Sequence, residues 1–185
     1  YKSFTGNQIG CLMLNYLLSQ RKEKGTFYSN GFAVKTIVTT ELAKKIGEKY
    51  GITVMEVLTG FKFIAEKIRL LDDSGKMEYV MGFEESYGFL IGTYARDKDA
   101  VSASMLISEM AAYYKSMDKT LIDVLNEIYE TYGFTDVDVI SYTLEGKEQI
   151  LYIFSEGDFF GEKNLLKEQE ATYNAEAMET THVCM

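Results

Sequence analysis

From residue 33 to residue 88 the chain alternates, with few spare residues, between short runs of β-branched side chains and segments of helical period. Ala33 to Val38 reads as a strand, because Val, Ile and Thr suit a pleated, half-buried surface. Thr40 is placed to cap a helix over Glu41 to Tyr50, and Gly51 to end it. Ile52 to Leu58 is the next strand. Thr59-Gly60 then opens a helix that carries Ile64, Ile68 and Leu71 at helical spacing. Asp72-Asp73-Ser74-Gly75 reads as a turn, and Met77 to Met81 as a third strand. Strands and helices that alternate over such short connections bury their apolar faces only by layering helices on a sheet. The pattern therefore predicts an α/β layer sandwich.

The flanks fit this scheme. Thr5 and Gln8 have the spacing of a capping box, and Ile9, Leu12, Met13, Tyr16 and Leu17 mark a buried face on the helix that follows. Basic Arg21, Lys22 and Lys24 suit its C-terminal dipole, and Gly25 its stop. Asp99 is placed to cap a helix with Val101, Met105, Leu106 and Met110 on its apolar face. Thr120 and Asp123 open another, Leu121 to Tyr132, which Gly133 stops. Phe134 to Leu144 reads as strand or extended linker. The 14 Tyr and 11 Phe supply a substantial core for 185 residues. A net charge of −9 works against nucleic acid and anionic membranes as partners. No apolar run approaches a membrane span, and no signal peptide opens the chain, so a cytoplasmic protein is expected. Cys11 and Cys184 belong to no metal or CxxC pattern and are expected to be free thiols. His182 has no partner in a catalytic pattern. Tyr1 is not an initiator, so a fragment or processed product is expected.

The chemistry concentrates after the third strand, in Gly82-Phe83-Glu84-Glu85-Ser86-Tyr87-Gly88. Two carboxylates, a hydroxyl and an aromatic ring lie between glycines. Such a loop at the C-terminal end of a strand is where α/β proteins hold ligands. Carboxylates accept hydrogen bonds from polyol hydroxyls, and serine both donates and accepts. The Thr59-Gly60 junction adds a hydroxyl and backbone N–H groups at a helix N-terminus, which favours polar or anionic ligands.

Four separated segments agree with one family in order and spacing: Val34-Lys35-Thr36-Ile37-Val38-Thr39-Thr40, Thr59-Gly60-Phe61-Lys62, the GFEESYG loop, and Gly92-Thr93-Tyr94-Ala95-Arg96-Asp97-Lys98-Asp99-Ala100. Over roughly residues 1–148 the chain resembles the third, sugar-binding domain of the α-D-phosphohexomutases, the phosphoglucomutase/phosphomannomutase family. The resemblance implies a three-layer α/β/α sandwich with a mixed sheet. It implies intramolecular phosphoryl transfer on hexose phosphates in the complete enzyme, with Mg²⁺ bound by ligands outside this segment. It implies the remaining mutase domains as partners. Carried over position by position, Glu84 and Ser86 match the sugar-hydroxyl ligands, Thr59 and Gly60 a second sugar contact, and Lys98 a basic residue near the reacting oxygens. Phe83 departs from the glycine that many members carry before the first Glu, which bears on the loop's conformation. The TASHNP-type phosphoserine loop, the DPDxDR-type metal loop and the RxSGTEP-type phosphate loop are missing from these residues. No catalytic or metal-binding residue is therefore assigned, and the segment is expected to be inactive alone.

The mutase pattern stops at Gly146-Lys147-Glu148. Gln149 to Phe154, then Ser155-Glu156-Gly157-Asp158-Phe159-Phe160-Gly161-Glu162, resemble part of the effector β-roll of CRP/FNR-type transcription regulators. The Arg-Ser pair that holds a cyclic-nucleotide phosphate in that family has no counterpart; Ala171-Thr172-Tyr173 stands near its place. Residues 149–185 carry seven acids and two lysines. The expected organisation is a mutase-like domain over 1–145 and a short all-β extension over 146–185. A chimeric seam is expected near Leu144 to Gln149, where Glu145-Gly146-Lys147-Glu148 fits both families. Two other functions compete with the mutase reading: a sensing fragment of a CRP/FNR-type regulator, and an inert α/β interaction domain.

Overall fold

The computed structural model describes residues 3–27, 29–135, 137–144 and 147–154. Two compact units divide between Thr135 and Asp136. The first holds five helices and a four-stranded sheet in three layers, α1 (Gly6–Glu23), β1 (Gly31–Thr36), α2 (Leu42–Tyr50), β2 (Thr53–Val57), α3 (Phe61–Leu71), β3 (Glu78–Phe83), β4 (Phe89–Leu90), α4 (Ala100–Lys115) and α5 (Leu121–Tyr132). In the described part of the second, β5 (Asp138–Leu144) pairs antiparallel with β6 (Lys147–Phe154). Seam residues Glu145 and Gly146 lie outside the described residues, as do the tail motifs from Ser155 onward, His182 and Cys184.

The sheet order is β2-β1-β3-β4. β1 runs parallel to both β2 and β3, and β4 returns antiparallel to β3, so the sheet is mixed. From β1 the chain moves one way through α2 to β2, then crosses back through α3 to β3 on the other side. The two crossovers lie on opposite faces: Leu42, Ala43 and Ile46 of α2 pack with Ala33, Met81 and Phe83, whereas Ile64 and Ile68 of α3 pack with Phe32, Val34 and Tyr79. This doubly wound order places a topological switch point at the C-terminal ends of β1 and β3, where such folds bind ligands. A bulge at Val80 lets Phe32 pair with Tyr79 and Ala33 with Met81, so Val80 and Met81 both join the core on the α1 face.

Three helix N-caps form as the sequence predicts, whereas Thr40 stands one residue outside α2, whose N-cap is Glu41. Thr5 and Gln8 close a capping box, as do Thr120 and Asp123. Asp99 accepts from the amides of Val101 and Ser102, and the Thr40 hydroxyl accepts from the Leu42 amide at 3.2 Å. Two helices depart from expectation. α1 is buried on more than one face, with Cys11, Leu12, Met13, Leu14, Tyr16 and Leu18 all in the core, because it lies among β3, α2, α4 and α5. On α4 the buried stripe is Ala103, Leu106 and Met110, while Val101 and Met105 are exposed. Cys11 is a free, buried thiol whose ionisation burial pushes far up. Among the described residues no helix is long and apolar enough to cross a membrane.

Candidate functional site

Three connections leave the C-terminal ends of the parallel strands and meet: residues 37–41 after β1, 58–60 after β2, and 84–88 between β3 and β4. Gly82 and Phe83 belong to β3, so the acidic loop is a five-residue hairpin connection. The Glu84 amide donates to the Gly88 carbonyl at 2.9 Å to close it. Phe83 is fully buried, stacks on Phe89 with ring centres 6.5 Å apart, and lies against Gly10 of α1. The bulky residue at this position therefore anchors the loop's first leg in the core.

The flanking glycines work by space, and an aromatic residue takes the sharp turn. Tyr87 has φ of 65° in the left-handed region, which non-glycine residues adopt at a cost. Its hydroxyl donates to the Phe4 carbonyl at 3.0 Å. A Cβ at Gly88 would sit 2.7 Å from Cδ of Lys98 and 2.9 Å from Oε2 of Glu84. The Lys98 stem and the Glu84 carboxylate thus flank the same stretch of backbone.

Glu84 turns inward and is 8% exposed. Its Oε1 accepts from the Gly60 amide at 3.1 Å, so the N-terminal end of α3 receives a carboxylate from the protein itself. Gly60 holds φ of 115°, a conformation that glycine reaches freely. Oε2 of Glu84 makes no hydrogen bond to a described residue, and neither do the hydroxyls of Ser86 and Thr59, both exposed. Lys98 lies with Nζ 5.5 Å from the centre of the Phe61 ring and 3.2 Å from an Asp97 oxygen. The structure therefore brings Glu84, Gly60 and Lys98 together around Gly88, with Thr59 next to Gly60 and Ser86 on the same loop.

Glu85 follows a different path from its neighbour. Its Oε2 lies 3.3 Å from the hydroxyls of both Thr36 and Thr39, which are 2.7 Å from each other. Behind them Lys35, fully buried, donates to the Thr39 carbonyl at 2.8 Å, to Glu41 at 2.8 Å and to Glu56 at 2.7 Å. Lys44 bridges the second oxygens of the same two carboxylates. Burial pushes the Glu56 carboxyl up, but hydrogen bonds from Lys35 and Lys44 outweigh it and pull the group down to about 2. Desolvation likewise opposes the Lys44 charge, yet Glu56 and Glu41 hold its ammonium above the usual range. Sequence reasoning assigned no role to Lys35 or Glu56. The available signal was a charged residue in the middle of each of two apolar strands.

Among the described residues no group of three or more His, Cys, Asp or Glu side chains could hold a metal ion. The carboxylates of Glu41 and Glu56, which share the same two lysines, are already neutralised by them. These residues do not fit a Mg²⁺ site.

Residues 5–132 match the family model described as phosphoglucomutase/phosphomannomutase, alpha/beta/alpha domain III. Residues 136–185 match a cyclic nucleotide-binding domain. Phosphoglucomutases of Staphylococcus aureus strains bovine RF122 / ET3-1 and MRSA252 are each 45% identical over 145 residues, covering 78% of this chain and 25% of theirs. A Thermus thermophilus structure described as a phosphomannomutase superposes with a TM-score of 0.54 at 27% identity, over 76% of this chain and 28% of that one. The open form of the Paramecium phosphoglucomutase parafusin has the same fold, with a TM-score of 0.55 at 18% identity, over 77% of this chain and 23% of its own. The chain thus spans about a quarter of the length of the curated relatives it matches. By its first 132 residues, this chain belongs to the phosphoglucomutase/phosphomannomutase family, as that family's domain III.

Proposed function

We propose that residues 1–145 are the sugar-recognition part of a mutase that moves phosphate between positions of a hexose phosphate. The observation that carries this reading is the convergence of three strand-end loops around the Glu84–Glu85 pair, Gly60 on Glu84 and Thr39 on Glu85, with Oε2 of Glu84 and the hydroxyls of Ser86 and Thr59 left unengaged. A carboxylate oxygen and two hydroxyls suit neighbouring sugar hydroxyls, since together they accept and donate. The Lys98 ammonium supplies positive charge for a phosphate at the rim. In the complete enzyme these residues would bind and orient the sugar, and orientation supplies much of the catalysis in phosphoryl transfer. Mg²⁺ would neutralise charge on the phosphate from residues outside this domain.

The chain alone should bind glucose 1-phosphate with roughly millimolar affinity, because one face of a ligand is all it touches. It should turn over none, since it carries neither a phosphoserine loop nor a metal loop. Glu84→Gln should abolish detectable binding in an NMR titration. In a complete mutase carrying this domain, it should cost about 1–3 kcal/mol of transition-state binding, the scale of a charge-assisted hydrogen bond. Conversion of glucose 1-phosphate by the purified chain, or a Glu84→Gln variant that binds as well as the parent, would refute the reading.

We further propose that residues 146–185 are a separate module joined to the mutase unit at a chimeric seam near 144–149. The support for two modules is the division between Thr135 and Asp136 with a family match on either side of it; a seam as late as 144–149 rests on the 145-residue span over which the phosphoglucomutases align. Limited proteolysis should cut rapidly near the join and leave a resistant core retaining α1 to α5. A tail as protected as α1 would count against two modules.

A further inference from the structure

We infer that Glu85 is a positioning residue that ties the 84–88 loop to the β1–α2 turn and so holds Glu84 and Ser86 in place for the ligand. The identity of that ligand rests on the sugar-recognition reading above, whereas the tie itself rests on geometry alone.

Adjacent residues on the loop point to opposite walls. Glu84 reaches the Gly60 amide at the start of α3. Glu85 reaches Thr36 and Thr39, whose side chains are sealed from solvent at 0% and 3% exposure. Two hydroxyl protons serve three oxygen–oxygen edges there. The short Thr36–Thr39 edge uses one, which leaves one for the Glu85 oxygen shared between them. Both 3.3 Å contacts are long for a hydroxyl bond, so the tie is soft and its loss should loosen the loop without unfolding the domain.

The turn that receives the tie is itself fixed. The buried Lys35 ammonium holds the Thr39 carbonyl from inside at 2.8 Å. Asn7 of α1 accepts from the Thr40 amide at 3.1 Å from the other side. The loop, by contrast, carries Tyr87 in the left-handed region, a conformation that persists only where its surroundings enforce it. Glu85 stands two residues before that strained position. A tie from 85 to a rigid turn restricts how far 84 and 86 can swing. Without it the binding-competent loop is a smaller fraction of the ensemble, and apparent affinity falls by that fraction.

The test uses the whole 185-residue chain with Glu85→Ala, Glu85→Gln, the Thr36→Val/Thr39→Val pair and the triple variant that combines Glu85→Ala with that pair. Two readouts are followed by NMR. One is hydrogen exchange at the Glu84 and Gly60 amides, both hydrogen-bonded within the loop system, with the Leu14 amide in α1 as the global reference. The other is titration with glucose 1-phosphate. Glu85→Ala and the Thr36→Val/Thr39→Val pair, which removes both hydroxyls facing Glu85, should each speed exchange at Glu84 and Gly60 by roughly five- to tenfold, with Leu14 unchanged. Binding should weaken by a similar factor. Glu85→Gln retains an accepting oxygen and should recover most of both effects. The triple variant should be no worse than Glu85→Ala or the threonine pair alone, as expected for two ends of one interaction. Unchanged exchange in Glu85→Ala, a parallel rise at Leu14, or additive effects in the triple variant would each overturn the tie. If the parent chain binds no hexose phosphate, the sugar reading fails while the exchange data still decide the role of Glu85.

Discussion

Gly6→Ala should lower the stability of the first unit by about 3 kcal/mol, a melting shift of roughly 6–12 °C for a unit of this size. Gly6 is the first residue of α1, where alanine is ordinarily the better helix former. Here that preference is outweighed. A Cβ on Gly6 would lie 2.0 Å from the Glu85 carbonyl oxygen, 2.8 Å from its carbon and 2.9 Å from the Tyr87 amide. All three are backbone atoms, so no rotamer change relieves the clash; either the loop or the end of α1 must move. Gly10→Ala makes an informative contrast, because its Cβ would meet the Phe83 ring, a side chain that can tilt if the core yields. Thermal unfolding of both variants checks this. A Gly6→Ala variant that melts within a degree of the parent would mean that α1 does not seat the loop as described.

The local features were legible because they depend on a few adjacent residues. Thr5 with Gln8, Asp99, and Thr120 with Asp123 each act within one helical turn, and each cap forms where its residues predict. The strands and helices from 31 to 83 were legible for the same reason, with ends shifted by one to two residues. The wrong face of α4 has a physical origin. Apolar residues surround that helix, from Ala100 and Val101 through Ala103, Met105, Leu106 and Ile107, so spacing cannot single out one stripe, and the position of β4 beneath it decides. The loop's acidic composition pointed to its position, but the distinction between Glu84 and Glu85 depends on which wall each side chain reaches. That is set by residues 24 and 49 positions away, Gly60 and Thr36, and no local rule contains it. The glycines at 82 and 88 provide clearance, and it is Tyr87 that makes the turn, which the composition of the loop does not show.

Lys35→Met should cost about 2–3 kcal/mol at neutral pH, and the loss should shrink on acidification. Removing one partner of a buried ion pair usually costs about 3–5 kcal/mol, because a charge is stranded away from water. Methionine keeps most of the lysine's apolar length, so little of the cost is packing. The stranded carboxylates are only partly buried, with Glu41 52% and Glu56 33% exposed, and Lys44 still bridges them, which argues for the lower figure. What remains is the lost pairing plus a Thr39 carbonyl deprived of its short hydrogen bond. The pH dependence follows from Glu56, whose carboxyl sits at about 2 in the folded protein against an ordinary 4.5. A depressed folded value means that its contribution is fully present above about pH 4.5 and is lost as pH falls toward 2. With Lys35 gone, Lys44 is the one lysine left beside Glu56, so the group returns toward its ordinary value and less stability is left to lose. Urea unfolding at pH 7, 4.5 and 3 should therefore show parent and variant curves that converge toward acid. Urea is uncharged and leaves the pairing unscreened. A gap that stays constant across that range would show that Lys35 acts through packing and not through its charge.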